Sequence, residues 1–360
     1  MASEITEEKA PAISVLVPCY NVERYVEECL ASIERQMFED FEAILINDGS
    51  TDGTLGILQA FARRDARFRI IDKANSGYGA SMNKGLDAAR GEYIAILESD
   101  DFMEPDTLGR LHAAARDAEA DAVKANFFFH WSDPEPRDEK NPLIGDDAPA
   151  VTNPHDFHPL FWYMPSIWSA IYRRDFLEEN GIRFLETPGA SYQDLAFTFK
   201  VWACARRVAL VKDAFVHYRQ DNEASSIHSP GKVFCVCDEF AEMERFLAEH
   251  PDMADLKPVE VRLKFDSYIW NYWRLDKDLR AQFYPRLVED FKREQEAGTI
   301  DYGMFLPWRE ADLRQILADP DDYERWANAT GGELGKMQSL LRYLRVGGPS
   351  LLMKRLRFKG

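Results

Sequence analysis

Glu98, Ser99, Asp100 and Asp101 follow directly on the apolar run Tyr93-Ile94-Ala95-Ile96-Leu97. The run reads as a buried strand, and it ends in a cluster of carboxylates. In a parallel sheet, ligands bind beyond the carboxyl ends of the strands. Carboxylates crowded there repel one another unless a cation sits between them. Hard oxygen ligands, with water and phosphate oxygens completing the shell, suit Mg²⁺ or Mn²⁺. The stretch is therefore a candidate for a metal that holds a phosphorylated substrate. The plain structural alternative is a polar strand end running into a helix cap, because Glu104-Pro105-Asp106 opens a helical pattern.

The elements that must position these groups alternate. Ile13 to Pro18 reads as a strand, and Val22 to Ile33 has helical apolar spacing with Asn21 as its N-cap. Strands at Phe41–Ile46, Phe68–Ile71, Tyr93–Leu97 and Ala122–Phe129 are separated by helical patterns at Leu55–Ala62, Ala80–Ala89 and Leu108–Ala118. This rhythm predicts an α/β fold, a mostly parallel sheet with helices on both faces. The first three strands end in small, polar or acidic residues, at Pro18 to Asn21, Asn47 to Asp52 and Asp72 to Gly79. Such loops gather on one sheet edge, where a nucleotide would lie. Gly77-Tyr78-Gly79 lacks the third glycine of the dinucleotide fingerprint, and no GxxxxGK[ST] loop occurs. Trp131 to Asp156, rich in Pro and Asp, reads as a long exposed loop. Val208 to Tyr218 reads as another strand, and from Lys232 onward the patterns are helical.

Composition narrows the function classes. The 360 residues carry a formal net charge of −18, which argues against DNA or RNA as a partner. Apolar residues at 46% supply an ample core, and the length favours one large domain with an appendage. Cys19, Cys29, Cys204, Cys235 and Cys237 form no disulfide or zinc framework and suit a reducing, cytosolic setting. Met1 to Pro11 is charged and polar and does not read as a signal peptide, and no apolar stretch reaches the roughly 18 residues of a membrane span. After Glu333 the acids cease, and Lys336, Arg342, Arg345, Lys354, Arg355, Arg357 and Lys359 interleave with leucines. That basic amphipathic tail suits peripheral contact with a membrane surface; a helix docked by its leucines is the other reading.

Four motifs stand in series: Val15-Leu16-Val17-Pro18-Cys19-Tyr20-Asn21, Asn47-Asp48-Gly49-Ser50-Thr51-Asp52-Gly53, Asn75-Ser76-Gly77 and Glu98-Ser99-Asp100-Asp101. In this order they resemble the family 2 glycosyltransferases, enzymes of the GT-A fold. The resemblance covers about residues 13 to 230. It continues through Tyr192-Gln193-Asp194-Leu195-Ala196-Phe197 and His217-Tyr218-Arg219-Gln220-Asp221-Asn222, followed by Ser225-Ser226. These later segments look most like bacterial cell-surface polysaccharide transferases. Each motif alone is weak; four in order are specific. The expected organisation is a flexible segment at 1–12, a GT-A domain at 13–230, a helical region at 231–335 that shapes the acceptor site, and the basic tail at 336–360.

The resemblance implies roles. Pro18, Tyr20 and Asn21 would line the nucleoside pocket, and Asp48 would accept a hydrogen bond from the base, usually uracil. Asn75 and Gly77 would sit beside the nucleotide, where glycine permits close backbone approach. Glu98, Ser99 and Asp100 occupy the family's Asp-x-Asp position, with Asp100 the foremost ligand for Mn²⁺ or Mg²⁺ and Asp101 next to it. Asp194 stands where the family places its catalytic base, and Arg219 where a basic side chain reaches the diphosphate. Two positions depart from the pattern: Glu98 replaces the first Asp, and Gln193 replaces the acid that usually precedes the base. The implied activity is inverting transfer of a sugar from a nucleotide-sugar donor, UDP-linked, to a glycan or lipid-linked acceptor.

Structural alternatives accompany these roles. Asp48 with Gly49 could be only a turn, Asp194 only a helix cap, Arg219 only a surface ion pair. His217 reads as a satisfied core histidine rather than a metal or phosphate contact. Trp162, Trp168, Trp270 and Trp273 could stack on sugar rings or simply fill the core. A sugar nucleotidyltransferase would share such a sheet, but its loop after the first strand would need basic residues, and Cys19-Tyr20-Asn21-Val22-Glu23 has none. A non-catalytic scaffold that kept the fold is the alternative outside enzymes; Glu98 and Gln193 are its only support.

Overall fold

Ile13–Cys19 is buried along its whole length, as a continuous apolar run must be when helices cover both faces of a sheet. It is the central strand β1 of a ten-stranded mixed sheet in a computed structural model that describes residues 9–222, 232–329 and 336–357. The chain divides into two compact units, Met1–His228 and Ser229–Gly360.

In the first unit β1 is followed by α1 (Val26–Glu34), β2 (Phe41–Asp48), α2 (Thr54–Arg64), β3 (Phe68–Lys73), α3 (Tyr78–Ala88), β4 (Tyr93–Ile96), β5 (Phe102–Met103) and α4 (Thr107–Ala118). Then come β6 (Ala122–Trp131), β7 (Arg137–Asn141), β8 (Val151–Thr152), α5 (Pro159–Trp162), β9 (Ala170–Arg173), α6 (Arg174–Glu179), α7 (Gln193–Cys204) and β10 (Val208–Arg219). The strand order is β3-β2-β1-β4-β9-β6-β10-β5, with β7 on β6 and β8 on β10. β1, β2, β3 and β4 pair in parallel, as do β6 and β10. β9 runs against both β4 and β6, so those two point the same way. The carboxyl ends of β1, β2, β4, β6 and β10 therefore share one edge, and the loops that could bind a ligand collect there.

The α/β sheet expected from the alternating pattern is the one formed. Two local expectations differ. Asn21 does not cap a helix: its backbone is left-handed (φ 53°), its side-chain oxygen accepts the Thr51 N–H at 2.8 Å, and α1 begins only at Val26. The amide is taken by the neighbouring loop, so it cannot serve its own helix. The stretch Trp131 to Asp156 is not a plain loop, because β7 pairs antiparallel with β6 and β8 with β10. β7 reads Arg-Asp-Glu-Lys-Asn and is exposed almost throughout, so it carries no apolar alternation to announce it.

The second unit holds α8 (Cys235–Glu249), α9 (Lys257–Arg274), α10 (Lys277–Ala297), α11 (Pro307–Ala318), α12 (Pro320–Ala329) and α13 (Lys336–Arg357). Phe240, Phe265, Tyr268, Phe291 and Tyr323 are fully buried among them. A charged layer is buried with them. Lys264 donates to Glu244 at 2.5 Å and Glu294 at 3.1 Å, and Lys257 to Glu260 at 2.6 Å and Glu294 at 3.1 Å. Burial pushes Glu260 up to about 7, while the two ammonium groups and Thr299 outweigh burial at Glu294 and hold it near 2. α13 is broken at Gly348, whose φ of 65° only glycine adopts readily, just before Pro349. It docks through the Arg342–Asp312 ion pair, the Arg342 guanidinium 3.5 Å from the Trp326 ring centre, and buried Leu351. Leu341, Leu344, Met353 and Leu356 stay exposed. Among the described residues no helix is long and apolar enough to cross a membrane.

Candidate active site

β4 ends at Ile96, and the chain turns through Glu98-Ser99-Asp100-Asp101 into β5. The three carboxylates turn to three different partners. Glu98 Oε1 accepts the Tyr78 hydroxyl at 2.6 Å. Asp100 Oδ2 accepts from the Asn222 side chain at 2.8 Å. Asp101 Oδ1 accepts the Arg219 N–H at 2.9 Å, while its buried Oδ2 has no hydrogen-bond partner.

Their charges work against one another. Burial, with the negative charges of Asp100 and Asp194, pushes Glu98 up to about 8 against the lowering pull of Tyr78. Burial, Asp100 and Glu98 drive Asp101 well above the ordinary carboxylate range, more than the Arg219 N–H restores. A buried Asp101 with one orphaned oxygen, next to half-buried Asp100, is what a divalent cation would complete, so Asp100 and Asp101 fit such an ion. Glu98 is turned toward Tyr78 and joins the corner as a hydrogen-bonded neighbour.

Asp194 lies in the first turn of α7, after Tyr192, whose φ of 61° makes a sharp entry to the helix. The nearby backbone N–H groups of Asp194 and Leu195 and the positive charge of Lys124 pull it down, yet burial dominates and raises it to about 6. A carboxyl poised there is suited to general-base work near neutral pH. Gln193 is buried beside it and fastens the preceding loop: Nε2 donates to Thr187 Oγ1 at 2.8 Å, and Oε1 accepts the Ser191 N–H. An amide can donate and accept at once, which a carboxylate cannot. Lys124 on β6 is buried against Ser166, donating to its carbonyl at 2.5 Å and its hydroxyl at 2.7 Å, and burial lowers it to about 7.

The remaining expected residues occupy the same edge. Pro18 is buried at the end of β1, Tyr20 is 51% exposed beyond it, and Asn21 ties that loop to the one after β2. Asp48 is spent on protein groups: it accepts the N–H of Ser76 at 2.8 Å and of Gly77 at 3.0 Å, and pairs with Lys73. It thereby shapes the loop that carries exposed Asn75. Gly77 has φ 91°, and a Cβ there would stand 2.9 Å from the Thr187 carbonyl. A Cβ on Gly79 would stand 2.0 Å from the Leu185 carbonyl, so only glycine lets this turn lie against the loop that leads to Asp194. Ser99 is buried in the corner.

Arg219 is neither at the surface nor free to reach outward. Its guanidinium is buried, donating to the Asp100 carbonyl at 2.8 Å, to Glu28 at 2.6 Å and to Ser132 Oγ. It braces the aspartate corner rather than presenting a charge to it. Trp168 fills space against Phe127 and Tyr218, at ring separations of 4.7 and 5.0 Å. Ser225 and Ser226 lie outside the described residues. Tyr78, Lys124 and Asn222 were not assigned roles from the sequence. Lys124 had a visible signal, a lone cation inside the apolar run Ala122 to Phe129.

Comparison with known proteins agrees with this geometry. The family described as Glycosyl transferase family 2 matches residues 14–179. EpsH of Bacillus subtilis is 36% identical over 221 residues, covering 59% of this chain and 61% of EpsH. The uncharacterized glycosyltransferase EpsJ of the same organism is 33% identical over 216 residues, covering 59% of this chain and 62% of EpsJ. The chain thus spans about three-fifths of the length of these relatives. The crystal structure of Staphylococcus aureus TarS residues 1–349 in complex with UDP-GlcNAc superposes with a TM-score of 0.69 over 88% of this chain and 90% of that one. At 21% identity that likeness is one of fold. On its four ordered motifs, its sheet and the match over residues 14–179, that part of the chain carries a glycosyl transferase family 2 domain.

Proposed function

We propose that this chain transfers a sugar, with inversion, from a UDP-linked donor to a glycan or lipid-linked acceptor in the building of a cell-surface polysaccharide. The observation that carries the reading is the pairing of a half-buried carboxylate raised by desolvation to about 6, Asp194, with a separate carboxylate corner at Asp100 and Asp101 whose charge calls for a cation. TarS, whose fold the chain shares, has been solved with UDP-GlcNAc and with UDP.

Each group then has one task. Pro18, Tyr20 and Asn21 bound the nucleoside pocket, and Asp48 sets the Ser76–Gly77 turn that closes it. Asp100 and Asp101 hold Mn²⁺ or Mg²⁺, which when bound offsets negative charge on the diphosphate leaving group. Arg219 and Asn222 fix the two aspartates. Asp194 takes the proton from the acceptor hydroxyl as its oxygen bonds to the anomeric carbon and the bond to the nucleoside diphosphate breaks. Attack from the face opposite the diphosphate inverts the centre. Lys124 favours the ionised form of Asp194 against the opposing effect of burial.

Calorimetric titration with UDP in Mn²⁺, repeated in EDTA and followed by a panel of UDP-sugars, tests the reading. Binding that EDTA abolishes is expected, with one UDP-sugar hydrolysed or transferred in preference to the others. No UDP binding under either condition would overturn the UDP assignment, and binding without turnover of any donor would favour a scaffold.

We further propose that the tail at 336–360 makes peripheral contact with an anionic membrane surface. Exposed Leu341, Leu344, Met353 and Leu356 beside Arg345, Lys354 and Arg355 support it. Sedimentation with vesicles rich in phosphatidylglycerol should carry the protein down at low salt, and neutral vesicles should not. Equal behaviour with both would remove the tail from this role.

A further inference from the structure

Among the described residues, two clusters each bring three ligand-type atoms within 4.8 Å of one another. One is Glu244, Glu260 and Glu294, where Lys257 and Lys264 already supply the positive charge. The other is His130, Asp138 and His217, and it has no such compensation from a lysine or arginine. His130 comes from β6, Asp138 from the exposed edge strand β7, and His217 from β10.

The geometry is specific. His130 Nδ1 lies 2.9 Å and His217 Nδ1 2.8 Å from the same oxygen, Asp138 Oδ1. Each ring's far nitrogen is also held: His217 Nε2 by Glu104 Oε1 at 3.0 Å, His130 Nε2 by Ser132 Oγ at 3.2 Å. Phe102 stacks on the His217 ring at 4.3 Å, with Phe128 stacked at 4.8 Å. Both imidazoles are buried, whereas the Asp138 side chain is 39% exposed and leaves an open side.

Proton counting shows what this arrangement lacks. A neutral imidazole has one N–H, and His217 faces a carboxylate oxygen at both nitrogens. One contact must therefore hold a second proton or another cation. Imidazole nitrogens that bind a metal characteristically turn their other nitrogen to a carboxylate or hydroxyl, the position taken here by Glu104 and Ser132. Ligand bonds of about 2.0–2.2 Å would need the two ring nitrogens to draw back from Asp138 by only a few tenths of an ångström. β7, an exposed edge strand, can yield that much.

We propose that His130, Asp138 and His217 form a binding site for a divalent transition-metal ion, zinc foremost, with water on the open side of Asp138. Two nitrogens and one carboxylate suit zinc and disfavour Mg²⁺, which sets this site apart from the oxygen-only aspartate corner. The ion would pin β7 to β6 and β10. Ser132 Oγ touches both His130 Nε2 and the guanidinium of Arg219, so the pinned strands also steady the residue that braces Asp100 and Asp101.

The test is zinc content of the full chain after dialysis against ZnCl₂ in excess MgCl₂, with Co²⁺ absorption as a second readout. One zinc per chain is expected in the native protein and in Asp100→Asn, with affinity falling about tenfold or more in Asp138→Asn and in His130→Gln. The visible Co²⁺ bands should vanish in Asp138→Asn. Circular dichroism checks that each variant folds; Asp138 sits on an exposed edge, so Asp138→Asn decides the matter should His130→Gln not fold. Absence of zinc in the native protein, equal zinc in Asp138→Asn, or zinc lost only in Asp100→Asn would overturn the proposal and leave the three side chains as a hydrogen-bonded tie between β6, β7 and β10.

Discussion

Asp194→Asn is expected to lower kcat about 10³-fold, the usual worth of a positioned general base, while UDP affinity stays within about twofold. The substitution keeps the size of the side chain and leaves the first turn of α7 in place, but an amide cannot take the acceptor's proton. The pH profile adds a second readout. In the proposed mechanism Asp194 acts as base only when ionised, and burial raises it to about 6. In the native enzyme kcat/KM should therefore rise with pH through about 6 and fall roughly tenfold per unit below it. The residual rate of Asp194→Asn should lack that limb. Full activity in the variant, or an unchanged acid limb, would show that another group takes the proton.

Asp100→Ala should weaken Mn²⁺-dependent UDP binding by about tenfold to a hundredfold, and EDTA should then make little further difference. The reason lies in the corner itself. Asp101 is buried with one oxygen unpartnered, and burial reinforced by Asp100 and Glu98 raises its pKa. Removing Asp100 takes away both the proposed ligand and the charge that makes a cation favourable there. Asp101 should become easier to ionise, since its first acidic neighbour is gone. Calorimetry of native and Asp100→Ala protein over a Mn²⁺ series reads the effect. Native-like, EDTA-sensitive binding in the variant would move the metal away from Asp100.

Some of this was legible in the chain alone. Apolar runs at Ile13 to Pro18, Phe41 to Ile46 and Tyr93 to Leu97 are long enough to declare buried strands, and the polar residues at their ends fall on one edge of any parallel sheet. β5, β7 and β9 were not legible. Each is short or exposed, and each is a strand only because a neighbour supplies its hydrogen bonds. The site residues divide in the same way. Asp194 and Asp100 stand out by type and spacing, whereas the partners that tune them come from distant segments: Lys124 for Asp194, and Asn222 and Arg219 for the aspartate corner.

The sequence by itself determined the α/β class, the order of the motifs and the family resemblance, because these follow from local periodicity and residue type. Tertiary structure alone decided where the side chains turn. It buried Arg219 beneath the aspartates, engaged Asp48 with the Ser76–Gly77 turn, swung Glu98 to Tyr78 and brought His130, Asp138 and His217 together from three strands. Hydrogen bonds and charges between residues far apart in the chain select those directions. Such contacts exist only after the sheet has closed, and no spacing along the chain encodes them.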